Sequence, residues 1–219
     1  MTWFIPSRAR PHNLARLIAA CRATGMTTPV VVRIDGDEHL RGVYADLCRD
    51  AGWELEVGPR ERLSVLYNEF FGMRPDLRWY GFLSDDVVPE TPAWDRRLID
   101  AAGADGLAFG NDGINGALHA AHFVLGGDLV REIGWLSLPG LDRIYIDTCW
   151  NDIARDRGAF RYLPDVKLYH RHFSNHQALF DATYKKQNKA ADRTLYEAWR
   201  DRGIISRETS TARKAVSCP

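Results

Sequence analysis

The chain has 219 residues, enough for one domain with a sizeable core, and 45% of them are hydrophobic while 26% are charged. Lys plus Arg and Asp plus Glu both number 29, so the formal net charge of zero gives no general support for binding to nucleic acid or another acidic polymer. The four cysteines are far apart and form no CxxC pair, so neither a zinc site nor a disulfide framework is indicated.

Membrane-spanning and targeting segments are not evident. No apolar run approaches the roughly 18 residues that a spanning helix requires. The first six residues begin a strand pattern and lack the charged, apolar and small-residue zones of a signal peptide. We therefore expect a cytoplasmic protein without membrane insertion.

The first 85 residues alternate between strand and helix patterns. Residues 2–5 predict a short strand that Pro6 ends, and apolar residues then recur at helical spacing. A β-branched run at 30–34 and an alternating run at 53–57 predict two more strands, each followed by a helical stripe. A fourth strand is predicted at 79–83. Such alternation indicates an α/β sheet with right-handed crossovers, in which ligands bind beyond the carboxyl ends of the strands.

The second half of the chain is less regular. A helix is predicted near 94–99, followed by strands at 106–109 and 122–125. A short helix is predicted over 128–133, and a longer one around 146–153 carries Asp147 in its first turn.

The end of the chain predicts two closing strands, at 160–163 and 166–172, and then helical structure. We expect a main α/β domain over residues 1–173 and a helical extension of the same domain over 174–205. The polar segment at 206–219 is predicted to be a mobile tail.

Two adjacent carboxylates follow the fourth strand. Asp85 and Asp86 come directly after an apolar run, where burying an ionised group is costly unless a partner or a cation compensates it. A hard divalent ion with oxygen ligands is one such cation, and a solvated turn is the alternative. If the strand continued, Ser84 and Asp86 would share one side, which makes Asp86 the stronger candidate for metal contact.

The loop after the first strand is a candidate nucleotide site. Ser7, Arg8 and Arg10 follow Pro6 there, and guanidinium groups pair well with phosphate. Asp35, at the end of the second strand, is suited to accept hydrogen bonds from a base or ribose. The alternatives are two solvated arginines and an ordinary turn aspartate. Neither GxGxxG nor a P-loop occurs, which argues against a dinucleotide site or P-loop fold.

Two histidines near the end of the predicted sheet are candidate metal ligands. His170 and His172 lie two residues apart, and imidazole is a good ligand for ions such as Mn²⁺. One of them would complete the coordination that Asp86 begins. A structural role is the alternative for each histidine.

The order of these motifs over roughly residues 3–173 resembles that of the GT-A nucleotide-sugar glycosyltransferases. The resemblance is closest to the family-two type and its small phage and bacterial relatives. It implies a GT-A-type, Rossmann-like mixed sheet flanked by helices, with a helical C-terminal extension. It also implies an Asp-x-Asp motif that binds Mn²⁺ or Mg²⁺ at the donor diphosphate, although Ser84 occupies the first position of that motif here.

The resemblance also implies roles for individual residues. Asp147 corresponds to the catalytic base of inverting members, with Asp142 as the nearest competitor; the alternative is a carboxylate in the first helical turn that stabilises the helix dipole. Asp128 corresponds to a position where members of the family often contact the donor sugar. The remaining donor-binding candidates are Pro6, Ser7, Arg8, Arg10, Asp35, Arg62, Asn68 and Asp85.

The function predicted from this resemblance is the metal-dependent, inverting transfer of a sugar from a nucleoside diphosphate sugar to an acceptor hydroxyl. A UDP-sugar is the first choice of donor. The acceptor would be a glycan, a small molecule or DNA with hydroxylated bases, the last held by a groove that includes Lys185, Lys186, Lys189 and Arg193. A nucleotidyltransferase is the first alternative, disfavoured because no glycine-rich phosphate loop follows the first strand. A non-catalytic nucleotide-sugar-binding domain and a metal-dependent hydrolase are the others.

Overall fold

The computed structural model describes residues 1–172, 175–177 and 189–202. Two predictions, the tail over 206–219 and the helical stripe at 179–184, lie outside the described residues.

The predicted alternation of strands and helices is present in the first half, and a mixed arrangement follows it. The strands are β1 (Thr2–Pro6), β2 (Val30–Asp35), β3 (Glu54–Gly58), β4 (Trp79–Phe82), β5 (Val87–Pro89), β6 (Leu107–Asn111), β7 (Phe123–Gly126) and β8 (Phe160–His170). The α-helices of the described residues are α1 (Pro11–Ala23), α2 (Arg41–Ala51), α3 (Leu63–Met73), α4 (Trp94–Ala102), α5 (Gly127–Ile133), α6 (Ile146–Asp156) and α7 (Lys189–Asp201). A short 3-10 helix spans Gly116–Leu118.

The eight strands form one mixed sheet in the order β3-β2-β1-β4-β7-β6-β8-β5. β1 to β4 are parallel to one another, β7 runs antiparallel to β4 and β6, and β8 runs parallel to β6. β5 pairs antiparallel with β8 at the edge. The carboxyl ends of β1, β2, β4, β6 and β8 therefore meet at one edge of the sheet, together with the amino ends of β5 and β7.

Helices cover both faces of the sheet, and the alternation of side chains along β1 shows how. Trp3 and Ile5 pack into the layer that contains α1, α2 and α4, whereas Phe4 packs into the opposite layer. The apolar stripes of α3, α5, α6 and α7 form that opposite layer. Because both faces are buried, β1 and β2 read as continuous apolar runs in the sequence.

Two strand predictions differ from the structure. β4 ends at Phe82 and a turn carries Asp85 and Asp86, so the alternation assumed through Ser84 does not persist. The two predicted closing strands are one strand, β8, with a register shift opposite Gly110. A Cβ on Gly110 would lie 2.3 Å from the Val166 carbonyl oxygen, so the glycine permits this irregularity.

Cys21, Cys48 and Cys149 are buried in the core, and burial raises the pKa of the Cys21 thiol to about 12. Among the described residues, no helix combines the length and the apolar character needed to traverse a bilayer.

Candidate functional site

A cavity of about 850 Å³ opens at the edge of the sheet where the carboxyl ends of β1, β2 and β4 meet. Most of the residues singled out in the sequence line it because parallel strands bring their ends to the same edge. The predicted residues among its lining are Pro6, Ser7, Arg8, Arg10, Asp35, Arg62, Asp85, Asp86, Asp142, Asp147, His170 and His172.

The Ser7 side chain fixes the loop between β1 and α1. The Ser7 hydroxyl donates a hydrogen bond to Asp85 and lies 2.8 Å from the Tyr44 hydroxyl. The Tyr44 hydroxyl in turn accepts the backbone N–H of Arg10 at 2.9 Å. Ser7 is itself buried, so it holds the loop and Asp85 in position.

Arg8 and Asp35 form an ion pair at the end of β2. The Arg8 guanidinium also donates two hydrogen bonds to Asp37, at 2.7 and 3.0 Å. Arg8 is about one-third exposed at its side chain, whereas Asp35 is largely covered. The predicted nucleoside-binding carboxylate is therefore present at the cavity wall with an arginine already oriented against it.

Arg10 supplies positive charge to the carboxylate pair from within the protein. Its guanidinium Nη1 lies 3.8 Å from Asp85 Oδ1 and 3.6 Å from Asp86 Oδ2. All three side chains are at least nine-tenths buried, so their attraction is weakly screened. Arg10 therefore has a role that the sequence did not indicate, since we expected it at a phosphate.

The two aspartates have different surroundings and opposite pKa shifts. Burial and the neighbouring Asp86 charge raise the pKa of Asp85. At Asp86, burial acts in the same direction but is outweighed by hydrogen bonds from His170 and Ser84, which lower its pKa. Asp86 is thus the more acidic member of the pair, and the Ser84 hydroxyl donates to its Oδ1 at 2.6 Å.

His170 lies beside Asp86, with 3.3 Å between its Nε2 and Asp86 Oδ1. β5 and β8 pair Val87 with His170, which brings the end of β8 to the turn after β4. His172 lies past the end of β8, so it does not share a strand face with His170 as predicted. The two imidazole rings are nevertheless 5.0 Å apart, and both line the cavity.

His122 is a buried member of this group that sequence reasoning missed. It immediately precedes β7, and its ring centroid lies 4.6 Å from that of His170. Burial lowers the pKa of His122 to about 3, with His170 adding to the effect, so the ring is neutral. Within the described residues its Nε2 has no hydrogen-bond partner.

Asp147 lies in the first turn of α6 and is paired with a second histidine that the sequence did not reveal. His119 Nε2 lies 2.9 Å from Asp147 Oδ2, and the Thr148 N–H donates to Oδ1 at 2.8 Å. Burial of Asp147 opposes its ionisation, but the hydrogen bond and charge of His119 outweigh burial and lower the pKa. For the same reason the pKa of His119 is raised, although its burial acts against this.

Asn151 fixes the backbone around this aspartate–histidine pair. Its side-chain amide donates to the carbonyls of Ala120 at 3.0 Å and of Asp147 at 2.6 Å. It also accepts the Ala120 N–H at 2.8 Å, and it is fully buried. The segment that carries His119 is therefore joined to α6 by hydrogen bonds that do not involve the side chains of His119 and Asp147.

Two predicted site residues lie outside the cavity. Asn68 hydrogen-bonds the backbone of Leu136 and Ser137, so it fastens the loop after α5. Asp128 lies at the opposite edge of the sheet, because β7 runs antiparallel to β4 and its carboxyl end points away from the cavity. Asp128 forms an ion pair with Arg131 there. The expectation of a donor-sugar contact at Asp128 is therefore wrong in this structure.

Arginines contributed by two loops add positive charge to the cavity wall. Arg62 precedes α3, and Arg143 precedes α6. The Leu63 N–H donates to the Asp142 carbonyl at 3.0 Å, so the two loops are in backbone contact. Neither Arg62 nor Arg143 forms an ion pair within the part of the chain that the structure describes. Both are therefore suited to bind an anionic ligand.

The donor set fits a divalent cation that a substrate completes. Asp86 and His170 offer one carboxylate oxygen and one imidazole nitrogen about 3 Å apart. The described residues contain no group of three or more His, Cys, Asp or Glu side chains arranged to hold a metal by themselves. Mg²⁺-type sites commonly use one or two protein ligands together with substrate phosphates and water. The residues present therefore suit an ion that arrives with a phosphorylated ligand.

No protein-family model matches the chain, and no curated protein matches it in sequence. Solved structures do resemble it. Glucosyl-3-phosphoglycerate synthase from Mycobacterium tuberculosis, in complex with Mn²⁺, UDP and glucosyl-3-phosphoglycerate, is 11% identical with a TM-score of 0.56. The match covers 78% of this chain and 71% of that chain. The same enzyme with phosphoglyceric acid gives 10% identity and a TM-score of 0.58 over the same shares.

A cytidylyltransferase from Leptospira borgpetersenii serovar Hardjo-bovis is also similar in structure. It has 11% identity and a TM-score of 0.53, over 93% of this chain and 95% of that one. At these identities the likeness concerns the fold. The chain has a GT-A-like α/β fold, a mixed sheet flanked by helices, as its motif order implied.

Proposed function

We propose that this protein is a metal-dependent glycosyltransferase that moves a sugar from a nucleoside diphosphate sugar to an acceptor hydroxyl. The observation that carries the proposal is the meeting of two chemical groups at one cavity. Asp86 with His170 suits a diphosphate-bound cation, and Asp147 with His119 suits proton transfer. The Mn²⁺ and UDP bound by the similar synthase support a UDP-sugar as the donor.

The donor would lie across the ends of β1, β2 and β4. Arg8 and Asp35 would contact the nucleoside, and Arg62 would contact a phosphate. A divalent ion held by Asp86 and His170 would neutralise charge that develops on the departing diphosphate. Arg10 keeps Asp86 oriented through the charge at 3.6 Å, and the neutral ring of His122 adds no positive charge against the ion.

Asp147 would act as the general base. It takes the proton of the acceptor hydroxyl while that oxygen forms a bond to the anomeric carbon of the donor sugar. The bond from this carbon to the diphosphate oxygen breaks, and the nucleoside diphosphate leaves with the bonding electrons. A single displacement of this kind inverts the anomeric configuration. The lowered pKa of Asp147 keeps it ionised at neutral pH, as the first step requires.

A nucleotidyltransferase is the second candidate, and the similar cytidylyltransferase favours it. Such an enzyme needs a loop after β1 that surrounds a triphosphate. Here Arg8 is engaged by Asp35 and Asp37, and Arg10 lies against the Asp85 and Asp86 carboxylates. A non-catalytic nucleotide-sugar-binding domain would have no need of the Asp147–His119 pair. The glycosyltransferase accounts for more of the cavity than either alternative.

The first experiment measures thermal unfolding with UDP, GDP, CMP and ATP, each with and without Mn²⁺. A ligand at 100 times its dissociation constant adds about 2.7 kcal/mol of stability, which raises Tm by roughly 5–10 °C in a chain of this size. We expect this shift with UDP only when Mn²⁺ is present. A shift with ATP alone would favour the nucleotidyltransferase instead.

The second experiment measures UDP release from UDP-glucose and other UDP-sugars by wild-type protein and two variants. Asp147→Asn should retain the UDP-dependent Tm shift and lose turnover by about 10²–10⁴-fold. Asp128→Asn is the matched control, because that carboxylate is exposed at the opposite edge of the sheet. Equal turnover in Asp147→Asn and wild type would remove Asp147 from the mechanism.

A further inference from the structure

One buried carboxylate outside the cavity binds three consecutive backbone amides. Asp192 lies in the first turn of α7 and is 2% exposed. Its Oδ1 accepts the N–H of Asp142 at 2.7 Å, and its Oδ2 accepts those of Arg143 at 2.9 Å and Ile144 at 2.7 Å. Successive N–H groups that converge in this way form an anion-binding concavity. Here the anion is a side chain from the other end of the described chain.

The amides that Asp192 binds belong to the segment that leads into Asp147. Tyr145, the next residue, adopts φ = 70°, a left-handed conformation that is costly for a tyrosine. Its ring stacks on Tyr196 of α7, with centroids 4.7 Å apart and planes 14° apart. Tyr145 is also the N-cap of α6, so its conformation sets where the first turn of that helix begins.

The same segment is tied to α3 on its other side. The Asp142 carbonyl accepts the Leu63 N–H at 3.0 Å, and the Ser64 hydroxyl donates to the Leu141 carbonyl. These bonds fix residues 141 and 142, whereas the amides of Arg143 and Ile144 depend on Asp192. Asp192 is therefore the contact that orients the part of the segment nearest to Asp147.

We propose that Asp192 is a positioning residue for the transfer reaction. It acts through residues 142–145 to orient Asp147. In this respect α7 is part of the active-site scaffold, although none of its residues is among those that line the cavity in the described part of the chain. The catalytic part of this inference rests on the proposed function. The three hydrogen bonds that Asp192 accepts from backbone amides are independent of that function.

Other contacts keep α7 docked when the Asp192 carboxylate is changed. The Tyr196 hydroxyl donates to Asp152 at 2.5 Å, and Trp199 is buried at 2% exposure. Trp199 also packs edge-on against Trp135, with centroids 6.3 Å apart. Substitution of Asp192 should therefore loosen residues 142–145 without detaching the helix.

The test compares Asp192→Asn and Asp192→Ala with wild type. Glu197→Gln is the matched control, because Glu197 is on the same helix and forms an exposed ion pair with Arg193. Amide hydrogen exchange at residues 142–144 is measured first. We expect faster exchange at these three amides in both Asp192 variants and no change in the control.

UDP release from UDP-glucose is measured next. Displacement of a reacting group by about 1 Å costs on the order of 10²-fold in rate, so we expect kcat to fall about 10- to 100-fold. The KM for UDP-glucose should stay within about twofold, because Asp192 does not contact the donor edge. Sodium formate should restore part of kcat in Asp192→Ala by filling the vacated concavity, and not in Asp192→Asn.

Two results would overturn the inference. Unchanged exchange at residues 142–144 in Asp192→Ala would show that Asp192 does not hold the segment. Faster exchange with unchanged kcat would show that the hydrogen bonds of Asp192 to this segment do not position Asp147. An inactive wild-type protein would overturn the catalytic role together with the proposed function, whereas the exchange result would still decide whether Asp192 orders the segment.

Discussion

The pairing of Asp147 with His119 makes stability depend on pH in a defined direction. Replacing His119 with Gln retains a hydrogen-bond donor of similar length and removes the positive charge. Apart from Asp147, the charges that affect His119 most are Arg155, which opposes its protonation, and Asp112, which favours it. Asp147 Oδ2 lies 2.9 Å from His119 Nε2, so these two groups interact through a direct hydrogen bond rather than through solvent.

The magnitude follows from the hydrogen bond and its exposure. Hydrogen bonds to charged groups contribute about 1.5–3 kcal/mol, but these side chains are 29% and 36% exposed, so about 1 kcal/mol remains after solvent screening. The pKa of His119 is raised from 6.5, so its contribution is complete below pH 6.5 and is lost as pH rises through the folded pKa. The pKa of Asp147 is lowered from 3.8, so its contribution is present above pH 3.8 and is lost on acidification.

The assay is thermal or urea unfolding of wild type and His119→Gln at pH 5 and pH 9. We expect the variant to be less stable by about 1 kcal/mol at pH 5, or roughly 2–4 °C in Tm, and the difference to shrink at pH 9. His12→Gln is the control, since His12 is exposed at the surface of α1. The same deficit at both pH values would refute a charged interaction between His119 and Asp147.

Two further predictions concern buried charge and close packing. Arg10→Gln removes the guanidinium beside Asp85 and Asp86 and should lower the free energy of unfolding by about 3 kcal/mol. Mn²⁺ should raise Tm more in this variant than in wild type, because the ion replaces the lost positive charge. An equal rise in Tm for both proteins would contradict the charge argument. Gly126→Ala would bring a Cβ to 2.1 Å from a carbonyl oxygen and should cost about 1–3 kcal/mol, whereas Gly72→Ala, in an open position on α3, should stabilise by about 0.5–1 kcal/mol. Urea unfolding measures both glycine variants. Equal changes in the free energy of unfolding would contradict the close contact at Gly126 and the open space at Gly72.

The parallel half of the fold could be predicted from sequence because its pattern has one physical cause. A strand covered on both faces must be apolar along its length, as β1 and β2 are, and its helices must present a single stripe. β5 could not be found because it has only three residues. β8 was divided in prediction because its bulge interrupts the apolar pattern, although pairing with β6 continues on both sides.

The candidate site was predictable where strand direction was predictable. Ser7, Asp35 and Asp86 follow parallel strands, so all three reach the same edge of the sheet. Asp128 follows a strand whose antiparallel direction depends on long-range pairing, which local sequence does not encode. A reversed strand carries its carboxyl end to the far edge, which explains the error.

Two histidines of the site, His119 and His122, could not be identified from the sequence for a different reason. His119 and His122 lie in or next to a glycine- and alanine-rich segment that has neither helical nor strand periodicity. Their importance comes from partners distant in the chain, Asp147 for one and His170 for the other. The only local signal was the presence of two imidazoles just before β7. Such a signal identifies a candidate but not its partner.

The central claim is that Asp86 and His170 bind a divalent cation together with the diphosphate of a nucleotide. The most direct measurement is anomalous diffraction from crystals grown with Mn²⁺ and UDP. We predict a manganese peak bonded to both side chains and to the diphosphate. Bound UDP with no manganese beside Asp86, or manganese bound at another part of the cavity, would contradict the account.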